Sequence, residues 1–309
     1  MNPAILLLSS ALALVQGAQP APEAPAQERL VPGELPASAA PQARLAWERM
    51  CQATALDPAR ARVEGFVLTF DATVYSKERQ SNDLSDVTYR YLEPGWVRMS
   101  LASDRERMRG PEGDFVVEKG RSVSLKGREY DEDRRELDQT LAVMKSFVGL
   151  TDPRSLRVAS LERMGGPPSG LPALLHQTVR SALGKSEVRK VEPQKLVWLQ
   201  VVSPDLRRSA RAERSSLQRA RVGLDPETHL PLLAVLSEER SDGGGEPLLV
   251  ELFDFRELDG YRVPFRVRSY LAEASAGALR YGRPSVELWL KGGTLRPKLT
   301  PKDFLPSGK

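Results

Sequence analysis

Phe66-Val67-Leu68-Thr69-Phe70-Asp71-Ala72-Thr73-Val74 decides the fold. Phe66, Leu68, Phe70, Ala72 and Val74 take alternate positions, with Val67, Thr69, Asp71 and Thr73 between them. A period of two over this length specifies a strand with one buried face.

Toward the C-terminus the same rhythm continues. Val87-Thr88-Tyr89-Arg90-Tyr91 and Trp96-Val97-Arg98-Met99-Ser100-Leu101 flank Glu93-Pro94-Gly95, which predicts a hairpin. In the second of these strands Val97, Met99 and Leu101 share an apolar face, and Trp96, Arg98 and Ser100 share the other. Gly110-Pro111-Glu112-Gly113 predicts a further turn before the strand Phe115-Val116-Val117, and Lys119-Gly120 and Lys126-Gly127 prolong the pattern. Helical spacing then appears in Leu137, Leu141, Met144 and Val148, with Phe147 beside them. Leu171, Leu174, Leu175, Val179, Ala182 and Leu183 suggest another helix after the Gly165-Gly166-Pro167-Pro168 loop.

The C-terminal half reads mostly as strands: 195–201, 231–236, 248–255 and the run after the Asp259-Gly260 turn. Val263, Phe265 and Val267 oppose Arg262, Arg266 and Arg268. Val286, Leu288 and Leu290 alternate with Glu287, Trp289 and Lys291, Gly292-Gly293 ends that strand, and 299–309 reads as a tail. Hairpin-sized steps with few helices between them predict an α+β chain. Its mostly antiparallel sheet is covered on one face by a few helices.

Toward the N-terminus, Trp47, Met50, Cys51 and Ala55 share one face of a helix that begins near Pro41 and ends near Asp57-Pro58. Residues 18–41 are rich in Ala, Pro and Glu and read as a disordered spacer. Residues 1–17 read as a signal peptide: an apolar run from Ile5 to Val15, too short to span a bilayer, then a small-residue cleavage site. The remaining 42–309 reads as one domain with an insertion near 160–215.

The chemistry-bearing residues are few. The 309-residue chain has one cysteine, so no disulfide forms within it. Cys51 reads as a small buried hydrophobe rather than a reactive thiol. The only histidines, His176 and His229, have no metal-ligand spacing. No nucleophile elbow, phosphate loop or dinucleotide fingerprint is present. Neither catalysis nor a cofactor is expected. Glu129-Tyr130-Asp131-Glu132-Asp133 is followed by Arg134 and Arg135 and reads as a solvated helix start. The net charge is +4, with arginine concentrated at Arg207, Arg208, Arg211, Arg214, Arg219 and Arg221. That segment reads as a solvated loop or edge strand, and it also suits a protein partner or peripheral contact with anionic lipid. It holds no aromatics for stacking, which speaks against nucleic acid.

The order of elements resembles the LolA/LolB-like superfamily of bacterial envelope proteins, which includes periplasmic lipoprotein carriers. Tyr91-Leu92-Glu93-Pro94-Gly95-Trp96-Val97-Arg98 is similar to that family's Pro-Gly hairpin, and Arg109-Gly110-Pro111-Glu112-Gly113-Asp114-Phe115 to its next turn. Asp225-Pro226-Glu227-Thr228-His229-Leu230-Pro231 resembles its D-x-x-T-x-x-P turn. Leu258-Asp259-Gly260-Tyr261-Arg262-Val263-Pro264 resembles a later one. Glu93 stands where carriers often have arginine, and 160–215 is longer and more basic than in the carriers.

The resemblance implies a curved antiparallel sheet, an incomplete barrel, with helices over its concave face and acyl chains held between. Phe66, Leu68, Phe70, Val97, Met99 and Leu101 are then the lining, and Met144 and Phe147 the lid. The alternative is an interaction module or envelope regulator with a filled core, which meets its partner through Arg207, Arg208, Arg211 and Arg214.

Overall fold

The computed structural model describes residues 30–305 apart from 58, 60, 76–80, 94, 101–104, 111–112, 119–120, 125–146, 181–185, 206–217, 239–247 and 276–277. Helix α1 spans Pro41–Thr54. The first wing of strands is β1 (Gly65–Tyr75), β2 (Ser81–Leu92), β3 (Trp96–Ser100), β4 (Arg105–Gly110), β5 (Gly113–Glu118) and β6 (Arg121–Ser124). Residues 147–151 are helical. Then come β7 (Ser160–Arg163), β8 (Leu175–Arg180), β9 (Ser186–Val191), β10 (Val197–Ser203) and β11 (Gln218–Leu224). The last strands are β12 (Pro231–Glu238), β13 (Leu248–Leu258), β14 (Tyr261–Ser275) and β15 (Ala278–Thr294).

Thirteen strands form one antiparallel sheet in the order β6-β5-β4-β3-β2-β1-β15-β14-β13-β12-β11-β10-β7. The sheet is curved and, among the described residues, unclosed, since β6 and β7 end it without meeting. Two meanders are thus joined by pairing the first strand with the last, Phe70 opposite Leu290 and Ala72 opposite Leu288. Helix α1 and the helical residues 147–151 cover the concave face, where one core joins Trp47 and Met50 to Phe66, Leu68, Tyr91, Leu199, Val222 and Leu252.

Strand β1 alternates as its sequence predicts, with Phe66, Leu68, Phe70 and Ala72 buried. Val74 departs from the pattern and is 38% exposed, because it lies past Ala72, the last residue of β1 in the core. Gly292-Gly293 does not end β15; the strand runs on to Thr294. At Gly293 the ladder crowds so closely that a Cβ would stand 2.1 Å from the carbonyl oxygen of Val67, and φ is +147°. Only glycine fits there.

Three further expectations are corrected. The segment expected to be helical over 171–183 is, in its described residues 171–180, not a helix but carries β8, which pairs with β9. The i, i+3, i+4 spacing of its leucines is met by strand geometry: Leu175 and Gln177 point inward and His176 outward, while Leu174 is exposed. The hairpin lies on the convex side, where Leu175 and Val191 pack with Trp198 and Leu233 in a second small core.

Residues 299–305 do not form a free tail. A capping box between Thr300 and Asp303 opens a 3-10 turn, Pro301–Phe304, and Phe304 is fully buried. Gly110 gives its backbone room, and Arg98 donates to the Asp303 carbonyl at 3.2 Å. Order also begins before Pro41. The Gly33 N–H donates to the Leu156 carbonyl, Ala39 is buried, and Arg44 reaches back to the carbonyls of Pro36 and Ala39.

Candidate functional site

The seam between β1 and β15 carries an apolar groove on the concave face. Its lining is Leu68 and Phe70 from β1, Pro264, Phe265 and Val267 from β14, Leu288 and Leu290 from β15, and Phe147 from the helical stretch. The groove is shallow, enclosing about 20 Å³, and has an almost wholly apolar surface. Cross-strand pairing builds it. Leu290 stands opposite Phe70, and Leu288 opposite both Ala72 and Val267, so their side chains share one face.

The groove ends against a packed aromatic floor. Phe66 stacks on Tyr91 at 5.2 Å and Tyr89 at 6.0 Å between ring centroids, and Phe147 meets Phe66 edge-on at 6.4 Å. Of the residues expected to line a lipid site, Leu68, Phe70 and Phe147 line this groove. Phe66 is part of that floor, and Val97 and Met99 lie in the same core without lining the groove, at 0%, 0% and 8% exposure. Leu101 and Met144 lie outside the described residues. On β3 the faces divide as predicted: Val97 and Met99 are buried, and Trp96, Arg98 and Ser100 are half-buried.

The chain just past Phe147 is anchored. Asp152, fully buried, accepts hydrogen bonds from the Val63 N–H at 2.9 Å and from Arg154 Nε at 2.7 Å. Arg154 reaches the Tyr261 hydroxyl, which donates to the Ala61 carbonyl at 2.6 Å. This network ties the helical stretch to the entry of β1 and the start of β14, so Phe147 is held from its C-terminal side.

Further along the concave face the surface changes character. Across β2, β3 and β4 run two rows: Phe66, Tyr91, Val97, Arg109, and Leu68, Tyr89, Met99, Arg107. Arg109 makes a bidentate pair with Asp114, both contacts at 2.8 Å. Burial pushes the Tyr89 phenol above its ordinary range, and the Arg109 charge offsets only part of that.

Nothing among the described residues resembles a catalytic centre. Burial, then the Asp152 charge, pushes the Cys51 thiol up to about 12, so it stays protonated at neutral pH. His176 is exposed on β8, and His229 sits in the turn before β12 with φ +58°. No group of three potential metal ligands occurs among the described residues. The acidic run 129–133 and Arg207, Arg208, Arg211 and Arg214 lie outside those residues. Arg219 and Arg221 stand on β11, both half-buried.

Sequence reasoning had read Phe265, Val267, Leu288 and Leu290 as inward strand faces without joining them to the site, and had given Pro264 only a turn. The signal that joins them is the pairing of β1 with β15, which no local pattern encodes.

No protein-family model matches the sequence, and no curated protein matches it either. Solved structures do. A LolA superfamily protein from Nitrosomonas europaea is 13% identical, with 85% of this chain and 97% of that one covered and a TM-score of 0.40. An outer membrane lipoprotein-sorting protein domain from Vibrio parahaemolyticus is 11% identical, with 85% and 95% covered and a TM-score of 0.37. A DUF1329 family protein from Desulfovibrio piger is 10% identical, with 86% and 97% covered and a TM-score of 0.45.

Proposed function

We propose that this is an exported envelope protein that binds acyl chains of a lipid or lipoprotein in the groove between β1, β14 and β15. The observation that carries the reading is the groove itself: eight apolar residues from four elements line a space that opens to solvent. Each acyl methylene moved there from water gains about 0.8 kcal/mol. The apolar run at residues 5–15 supplies the route of export.

As it stands the groove has room for about one methylene-sized group. Phe147 closes its inner end against Phe66, so a longer chain displaces that ring. A carrier or sensor uses such a site in the same way, by exchanging a protein side chain for a ligand methylene at little net cost.

The test is native mass spectrometry of gently purified protein, with lipid transfer to acceptor vesicles measured beside it. Co-purified lipid that is lost in Leu288→Asp is the expected result. A bare polypeptide mass together with no transfer overturns the reading. It would leave the filled-core interaction module in its place.

A further inference from the structure

The hydroxyl of Tyr89 is buried on the concave face with no hydrogen-bond partner among the described residues, and the residue is 0% exposed. A buried donor left unmade costs free energy, and a phenylalanine would fill the same space without that cost. Tyr89 is also placed with purpose. It stands directly opposite Leu68 of the groove on one side and Met99 on the other, and Arg107 follows Met99 in the same row. Strand spacing puts Arg107 about 14 Å across the sheet from Leu68. Arg109 stands in the neighbouring row, opposite Val97, where it pairs with Asp114.

Beyond the aromatic floor that ends the groove, a phenol and two arginine positions follow on the same face of the sheet. We propose that this is a headgroup subsite. The ligand is an anionic monoacyl lipid, its tail in the groove and its carboxylate or phosphate oxygen accepting from Tyr89 within reach of Arg107 and Arg109. The inference rests on the acyl-binding reading and adds the polarity and charge of the ligand's end. The two arginines keep their existing partners; Tyr89 supplies the free donor. A hydrogen bond from a phenol to an ionised oxygen is among the stronger kinds, so its loss reads as about tenfold or more in affinity.

The experiment compares palmitate, hexadecanol and inorganic phosphate as ligands of the purified protein and of Tyr89→Phe, by calorimetric titration. The change is isosteric and removes an unpartnered hydroxyl, so the melting temperature of the variant stays level or rises. The wild type is expected to bind palmitate more tightly than hexadecanol and phosphate alone not measurably. In Tyr89→Phe, palmitate weakens about tenfold or more while hexadecanol is unchanged. Equal palmitate affinity in both proteins overturns the headgroup subsite and leaves the acyl reading standing, as does hexadecanol bound as tightly as palmitate. Phosphate bound without a tail also overturns the subsite. If neither palmitate nor hexadecanol binds the wild type, the acyl reading falls with it.

Discussion

Phe70 and Leu290 stand directly opposite each other where the first strand of the sheet meets the last. Both line the groove, so the site exists only because the two halves of the chain are joined at this seam.

Leu288→Asp tests the groove with the smallest disturbance of the core. Leu288 is only partly buried, so the carboxylate can reach water and the fold survives. The charge lies beside Val267 and Ala72, where an acyl chain would have to desolvate it. Circular dichroism should match the wild type while lipid retention falls to background. A variant that keeps its lipid removes the groove from the argument.

Phe147→Ala separates stability from capacity. The ring is 8% exposed and packs edge-on to Phe66, so its loss should cost about 3–5 kcal/mol in denaturant unfolding. It also lengthens the groove into an apolar void, the kind of space that accepts hydrophobic ligands. Saturating palmitate is therefore expected to raise the melting temperature more in the variant than in the wild type. An equal or smaller rise shows that Phe147 does not stopper the site.

Gly293→Ala attacks the seam by backbone alone. The new Cβ meets the Val67 carbonyl and the residue must keep φ near +147°. Strain of this kind costs about 1–3 kcal/mol, visible as a lower urea midpoint. Gly95→Ala is the control for open space, because no atom lies within 4 Å of a Cβ there. Equal losses at the two positions would mean that φ, not the close approach across the seam, governs both.

Asp225 makes the stability pH-dependent in acid. Burial alone would raise its pKa, but the N–H groups of Thr228 and Glu227 and the Arg189 charge outweigh burial and hold it below the ordinary 3.8. A group depressed in the folded state contributes stability above its unfolded pKa and loses it as pH falls through the folded value. The unfolding midpoint should thus drop as pH is lowered past about 4. Asp225→Asn, which also loses the ion pair to Arg189 on the β8–β9 hairpin, should flatten that part of the profile. An unchanged acid limb in the variant assigns the pH dependence to other carboxylates.

The arginine segment has its own test. Changing Arg207, Arg208, Arg211 and Arg214 to serine lowers the local positive charge and leaves every described lining residue of the groove unchanged. Reduced retention on vesicles containing phosphatidylglycerol, at unchanged palmitate affinity, is the expected result. Equal retention by both proteins at low salt denies the segment a role at membranes.

Much of the sheet was legible because its signals are local. The alternation in β1, the Pro94-Gly95 turn and the opposed faces of β14 each lie within a dozen residues. The β8–β9 hairpin was misread because Leu171, Leu174 and Leu175 satisfy a helix as well as two turns of chain around a strand. Only docking on Trp198 and Leu233 decides between them. Phe304 looked like part of a tail because its burial depends on Gly110, far away in sequence. The site divides in the same way. Leu68, Phe70 and Phe147 follow from their own periodicity, whereas Leu288 and Leu290 join them only through long-range pairing.

That pairing has a kinetic consequence. Strands β2 to β6 emerge early and can form their meander among themselves. β1 cannot acquire its second neighbour until nearly the whole chain exists. Closure of so long a loop is slow, and the nascent wing meanwhile presents Phe70 and an unpaired strand edge. Folding should therefore show a late, single step in which β15 docks, and a chain shortened before residue 278 should remain a pair of half-sheets that recruit chaperones rather than ligand.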